Sequence, residues 1–352
     1  MKISVKNPEN KLPLQKEESF YKEYYFAKRA GDPVQFEALL KKAAADPELM
    51  VNCYIPELNQ QVLSNFYEMS SFSENNENIT TERHMRYTPE FSHAHTFFEM
   101  IYVKSGVCRN CFAAGEVLEM HAGDICLVAP DTLHSIGVFS DDGIVYNVLI
   151  KKSTFQETFY KLLSFDNLLS DFFLRILYTK KTNNYILFPT GDDGLIADVL
   201  SQLLERRIYD TFDRILMESL LMTAFCYLLK NHSSRAQLSD TDCRDDRIME
   251  ILQYIQRNYK SITLRSAAEH FNYSESHFCK MIKNATGSTF LQHLSKIRFN
   301  TACQLLRSTT MSVEEISSAV GMKSPEYFHR FFKKNTALTP RDYRLRFHKN
   351  GQ

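Results

Sequence analysis

Ile297 to Arg344 reads IRFNTACQLLRSTTMSVEEISSAVGMKSPEYFHRFFKKNTALTPRDYR. Ser312-Val313-Glu314-Glu315 is a capping box, in which the serine and the glutamate three residues on satisfy each other's backbone amides and open a helix that runs to Val320. Gly321 makes a turn, Ser324 caps, and Pro325 takes the first helical position, where its missing N–H costs nothing. The second helix runs to about Asn335.

The same layout precedes it. Thr263 to His270 (TLRSAAEH) is a short amphipathic helix with Leu264, Ala267 and Ala268 inward, and Phe271-Asn272-Tyr273 makes the turn. Ser274 caps a helix from Glu275 to Thr286 that Gly287 closes. Two short helices joined by a tight turn, the second one basic, form a helix-turn-helix. Between the two units Phe290 to Ser308 spells one more helix, roughly 28 Å long. That length is close to the ~34 Å between major-groove faces on one side of B-DNA. Leu291, Leu294, Ala302, Leu305 and Leu306 give this rod an apolar stripe for both units.

Charge agrees. The 352 residues hold 42 basic and 42 acidic side chains, yet residues 244–352 carry 18 Lys/Arg against 9 Asp/Glu. A basic C-terminal third on an acidic remainder points to a polyanionic partner for that third. No 18-residue apolar run is present, the N-terminus lacks an apolar signal-type core, and the eight cysteines form no disulfide framework. A cytoplasmic protein without membrane segments is expected.

The rest of the chain changes texture twice. Residues 1–80 read as a helical extension, with helices over Ser19–Ala30 and Val34–Ala45 and a polar loop at 70–81. From 81 to 150 short apolar runs (Phe97–Val103, Ile125–Ala129, Ile144–Ile150) alternate with glycine and proline, which suggests a small barrel or sandwich. Helical periodicity returns over 151–232, and the polar stretch 233–246 reads as a linker to an all-α domain at 247–348.

Residues 247–346 resemble the DNA-binding domain of the AraC/XylS family of bacterial transcription regulators. The resemblance rests on the ordered spacing from Ala302-x-x-Leu305-Leu306 through Ile316, Gly321, Tyr327-Phe328 and Phe331-Phe332-Lys333 to Thr339-Pro340-x-x-Tyr343-Arg344. It implies that Ser276, Cys279 and Lys280, and Pro325, Glu326, His329 and Arg330, face the bases. Helical exposure independently turns Ser276, Cys279, Lys280, Lys283, Glu326, His329, Arg330 and Lys333 outward, opposite anchors at Phe278, Met281, Ile282, Phe328, Phe331 and Phe332. One position departs from the family pattern: Ala337 stands where glycine is usual after the second recognition helix.

FSHAHTFFEMIYVKSG (Phe91–Gly106) and HAGDICLVAPDTLH (His121–His134) resemble the cupin barrel that many such regulators use for effector binding. A strand's two-residue period puts His93, His95, Phe97 and Glu99 on one face. The resemblance adds His134. These four residues are the expected effector site. Two histidines, a carboxylate and a third histidine also suit a divalent metal, but the glycine usual before the first histidine and the asparagine after the last are missing. Three readings stay open: a metal-free effector pocket, a metal site, and histidines that only fill the core. No cofactor is assigned. Cys108-x-x-Cys111, with no second pair, reads as incidental.

The expected architecture is a cupin-like β-barrel plus a helical dimerisation segment, followed by an all-α double helix-turn-helix domain. The resemblance implies a regulator that senses a small molecule, binds double-stranded promoter DNA as a homodimer through an Ile215, Leu216, Leu220, Ala224 and Tyr227 stripe, and works with RNA polymerase. No catalysis is expected. The alternatives are a metal-dependent cupin enzyme or metal sensor fused to a DNA-binding domain, using His93, His95, Glu99 and His134, and an architectural DNA binder without an effector.

Overall fold

The computed structural model describes residues 12–58, 65–66, 72, 78–158, 168–170, 172, 176, 184–239 and 246–349. It divides into two compact units, residues 1–158 with 182–239, and residues 159–181 with 240–352.

The first unit opens with three helices, α1 (Lys16–Ala30), α2 (Pro33–Ala44) and α3 (Pro47–Asn52). Asp32 and Asp46 cap α2 and α3 ahead of a proline at the first helical position. Phe20, Tyr24, Leu39, Leu49 and Ile55 form their shared core, which Tyr87 of the barrel domain joins. Glu18 and Arg86, both buried, hold α1 in place: Arg86 Nε donates to Glu18 Oε1 at 3.0 Å and Arg86 Nη2 to Oε2 at 2.8 Å. Burial would raise the Glu18 carboxyl, but hydrogen bonds from Arg86 outweigh it and set the value at about 2.

Eleven strands follow among the described residues: β1 (Asn65–Phe66), β2 (Ile79–Arg83), β3 (Ala94–His95), β4 (Phe98–Ser105), β5 (Val107–Phe112), β6 (Val117–His121), β7 (Ile125–Val128), β8 (His134–Gly137), β9 (Ile144–Ile150), β10 (Tyr185–Phe188) and β11 (Gln237–Leu238). Apart from a short parallel β1–β3 pair, they form an antiparallel six-stranded sheet, ordered β11-β10-β7-β4-β9-β2, and an antiparallel three-stranded sheet, β6-β5-β8. Ile101, Val103, Cys108, Cys126, Val128, Val138, Val145 and Leu187 pack between them. An N-terminal β-rich domain therefore precedes a helical one.

Two expectations change here. The barrel is not confined to 81–150, because β10 and β11 extend its larger sheet. Tyr185-Ile186-Leu187-Phe188 is too short an apolar run for its period to separate strand from buried helix. The expected linker also begins too early. Residues 233–235 form a 3-10 turn, Gln237–Leu238 pair with β10, and only 240–245 lie outside the described residues.

Helices α4 (Lys152–Thr158), α5 (Gly194–Leu204) and α6 (Thr211–Asn231) complete this unit. Helix α6 is apolar nearly all round. Met217, Leu221, Ala224, Phe225 and Leu228 are buried, whereas Phe212, Ile215 and Leu216 are exposed. Ala224 therefore belongs to the unit's own core and leaves the expected dimer stripe. The exposed face is Phe212, Ile215 and Leu216, with Leu220 and Tyr227 half-buried.

The second unit contains helices α7 (Asp246–Asn258), α8 (Leu264–His270), α9 (Glu275–Thr286), α10 (Phe290–Ser308), α11 (Val313–Ala319), α12 (Pro325–Thr336) and α13 (Pro340–Lys349). Ser274, Ser312 and Ser324 each cap the following helix through the side-chain oxygen. One core gathers Ile251, Ile255, Phe271, Phe278, Ile282 and Ile297; another gathers Ala302, Leu306, Ile316, Val320, Phe328 and Phe332. Helix α10 supplies both, but not with the expected stripe. Leu291 is 64% exposed, and Phe290, Leu294 and Ile297 bury its first half instead.

Candidate functional site

The barrel interior holds the first candidate site. Its cavity has a volume of about 290 Å³ and is walled by side chains from β2, β4, β8, β9 and the segment around β3, among them His84, His93, His95, Glu99 and Asn147. The chain bends at Thr96-Phe97 between β3 and β4, so the histidines and Glu99 do not lie on one regular strand. They meet all the same. His134 Nε2 lies 2.9 Å and His95 Nε2 3.3 Å from Glu99 Oε2. The His93 and His134 rings are 4.5 Å apart, and the two residues exchange backbone hydrogen bonds, His93 N–H to His134 O and His134 N–H to His93 O.

Backbone carbonyls orient the rings. His95 Nδ1 lies 2.7 Å from Phe97 O, and His134 Nδ1 3.1 Å from Thr132 O, which places a proton on each Nδ1. Each Nε2 is left facing a carboxylate oxygen. Two acceptors at 2.9 Å repel unless a proton or a cation lies between them. Burial would push the Glu99 carboxyl up, but the hydrogen bonds with His134 and His95 hold it well below the usual range. Burial, reinforced by the nearby His134, pushes His93 down to about 4. His93, Glu99 and His134 each offer a ligand atom, all within 4.8 Å of one another, so this donor set fits a divalent metal.

Two further polar groups escaped sequence reading. His84 Nε2 and Asn147 Oδ1 are buried on the cavity wall without a hydrogen-bond partner. Asn147 carried a legible signal, since it interrupts the apolar run Ile144–Ile150. His84 sits in a charged stretch just past β2 and carried none. Cys108 and Cys111 both lie on β5, and their odd spacing points them to opposite faces.

The second candidate site is the outer surface of α9 and α12. Ser276, Lys280 and Lys283 are exposed on α9, with Cys279 half-buried. On α12 Glu326, Arg330 and Lys333 are exposed, with Pro325 and His329 half-buried. Phe278, Ile282, Phe328 and Phe332 anchor the opposite faces. Phe331 and Met281, expected as anchors, are only half-buried. His277 and Tyr327 are exposed beside the expected positions and were not singled out. Ser324 Oγ donates to Glu326 Oε2 at 2.6 Å, and Arg330 forms no ion pair among the described residues.

Residues 267–346 match the model of a helix-turn-helix domain, and residues 79–152 match that of an AraC-like ligand binding domain. The chain thus joins an AraC-like ligand binding domain to a helix-turn-helix domain. It is 29% identical over 154 residues to the lactose operon transcription activator of Staphylococcus xylosus, covering 44% of this chain and 54% of that one. Over 85 residues it is 39% identical to the MmsAB operon regulatory protein of Pseudomonas aeruginosa, covering 24% of this chain and 28% of that one. A broader match, 23% identical over 256 residues, is to the HTH-type transcriptional activator RhaS of Salmonella schwarzengrund and covers 72% of this chain and 86% of that one. The chain thus spans about a quarter to a half of the length of the first two relatives. No helix among the described residues is long and apolar enough to cross a membrane.

Proposed function

We propose that the chain is a cytoplasmic, sequence-specific transcription regulator. A small polar effector in the barrel controls how its double helix-turn-helix binds double-stranded promoter DNA. The observation that carries the effector half is the polar wall: His84 Nε2 and Asn147 Oδ1 line the cavity without hydrogen-bond partners. A buried polar atom left unpaired costs about 1–3 kcal/mol, which a ligand with matching donors recovers. The small volume suits a compact metabolite. In the DNA half, Ser276, Cys279, Lys280, Pro325, Glu326, His329 and Arg330 meet base edges, while Lys283 and Lys333 meet phosphates. The α6 face of Phe212, Ile215 and Leu216 seats a second copy, and the dimer recruits RNA polymerase; the protein itself catalyses nothing. Selection of binding sites from random DNA, with and without a metabolite pool, tests the reading. A consensus whose affinity the pool shifts in wild type but not in Asn147→Ala supports it; no enriched consensus overturns it.

A second reading is favoured by the two Nε2 atoms facing Glu99: a divalent metal held by His93, Glu99 and His134, with His95 adjoining. Bound there, it would serve as an effector anchor or as the sensed species. Metal analysis of protein purified without an affinity tag decides it. About one equivalent in wild type and none in Glu99→Ala supports the metal, and none in wild type removes it.

A further inference from the structure

The loop between α5 and α6 builds a second cavity in the first unit, apart from the barrel pocket. Its volume is about 540 Å³, and its walls are Ile79, Thr80 and Thr81 of β2, the loop from Leu204 to Tyr209, and Met217 of α6. Arg206 and Arg207 both line it. Arg214 stands on α6 one turn before Glu218, whose carboxylate accepts from Asn78 Nδ2 at 3.0 Å, at the edge of β2. None of the three arginines forms an ion pair among the described residues, and Arg206 Nε and Arg214 Nε are buried without a hydrogen-bond partner. The one carboxylate on the cavity wall, Glu205, is exposed.

This is an unusual place to leave cations unpaired. Residues 1–243 carry nine more acidic than basic side chains, so carboxylates are plentiful. A guanidinium donor shut from water with no acceptor costs more than a neutral amide in the same position, and a bound oxyanion removes that cost. Arginine's planar fork matches oxyanion geometry in pairs of hydrogen bonds. Thr80 and Thr81 of β2 line the wall as well, and consecutive strand positions turn one of the two hydroxyls to a given face as a further donor.

We propose that this cavity is an anion site, separate from the barrel effector pocket, that takes the phosphate group of a small organic phosphate. Arg206 and Arg207 grip the phosphate, and the rest of the cavity holds the organic remainder. Strand β2 lines both cavities, Ile79–Thr81 here and Glu82 in the barrel, so occupancy of one bears on the backbone that walls the other.

Calorimetric titration of the full chain, with ionic strength held by chloride, tests the site. The probes are inorganic phosphate, glycerol 3-phosphate and ribose 5-phosphate. Saturable binding of an ester, about tenfold or more tighter than inorganic phosphate and weakened about tenfold or more in Arg206→Ala, supports the proposal. Arg207, exposed at the rim, gives a second variant that leaves folding intact: Arg207→Ala weakens ester binding. Inorganic phosphate binding as tightly as the esters overturns the organic part. No saturable binding up to about 10 mM, or affinity unaltered in Arg206→Ala and Arg207→Ala, overturns the site.

Discussion

The two helix-turn-helix units are built on one plan, with each special backbone position filled in the opposite way. In the first unit Asn272 takes positive φ (59°) in the turn, and Gly287 takes it (74°) where the recognition helix ends. In the second unit Gly321 occupies the turn (76°), and Ala337 ends the helix (60°). The surroundings explain the turn. A Cβ on Gly321 would lie 2.0 Å from the carbonyl oxygen of Lys260, in the segment joining α7 to α8 of the first helix-turn-helix. Arg298 of α10 donates to Tyr259 O at 2.9 Å and to Lys260 O at 3.3 Å, so that carbonyl is held where it is. Glycine in the second turn thus serves the contact between units, not the turn alone.

The largest expected effect follows from that contact. Gly321→Ala places a methyl group inside backbone that cannot give way and forces a left-handed alanine, at a cost of about 3 kcal/mol or more. Hydrogen exchange should show α11 and α12 losing protection, and operator affinity should collapse. Asn272→Ala adds only the strain of a left-handed alanine, on the order of 1 kcal/mol. Equal losses in the two variants would break the comparison.

The next difference is a buried ring after each recognition helix. His293 follows α9 and Tyr343 follows α12, and both are buried. The Thr286 hydroxyl and His293 Nε2 are 2.7 Å apart. Burial, with help from the Lys296 charge, lowers His293 to about 4 from an ordinary 6.5. A histidine kept neutral in the fold binds protons more readily when unfolded, so stability is complete above pH 6.5 and falls as pH drops toward 4. The expected loss is on the order of 1 kcal/mol for each pH unit below 6.5. Tyr343 stays neutral throughout, because burial raises its phenol. Between about pH 7 and 5.5, α9 amides should therefore lose exchange protection before α12 amides, and His293→Gln should narrow the gap. Parallel loss in both helices would show that His293 does not set the acid response.

At equivalent places on the recognition helices stand Lys280 and Arg330, and further along Lys283 and Lys333. Arginine can grip guanine with two hydrogen bonds, whereas lysine acts as a point charge. Arg330→Ala should cost about 1–3 kcal/mol and relax the consensus at one base pair. Lys283→Ala and Lys333→Ala should each weaken all sequences alike and lower the salt slope by about one. An unchanged consensus in Arg330→Ala would mean that α12 meets the groove in another register.

Sequence legibility followed the reach of the rules. Helices α8, α9, α11 and α12 were legible to within a residue, because serine and threonine caps, Pro325 and Gly287 act locally. The face of α10 was misread at Leu291, since a helix serving two cores turns a different side to each. Helix α6 was misread at Ala224 for a related reason: a helix apolar all round has no period to separate its own core from an exposed face. Strands β10 and β11 were missed because their pairing spans about fifty residues of chain. His93, His95, Glu99 and His134 were readable as a set, but Asn147 and His84 join them only through the register of β2 with β9.

The smallest effect is the sharpest test of the shared plan. Thr286 Oγ1 donates to Ile282 O and accepts from Ser288 N–H; Thr336 Oγ1 donates to Phe332 O and accepts from Leu338 N–H. The N–H of Gly287 reaches Lys283 O and that of Ala337 reaches Lys333 O, each at 2.8 Å. Apart from the Thr286–His293 contact, the hydrogen bonds match, and the two helix ends differ chiefly in the Cβ that Ala337 must carry at positive φ, a strain on the order of 1 kcal/mol. Ala337→Gly relieves it but loosens the unfolded chain, which takes back part of the gain. The net expectation is about 0.5 kcal/mol of added stability at α12 and a rise of a few degrees in its melting. Gly287→Ala should remove a similar amount at α9, and the double exchange should leave the sum near zero. A fall in stability for Ala337→Gly would mean that the methyl group packs against something worth more than the strain it imposes, and the two helix ends would then have to be counted as different structures.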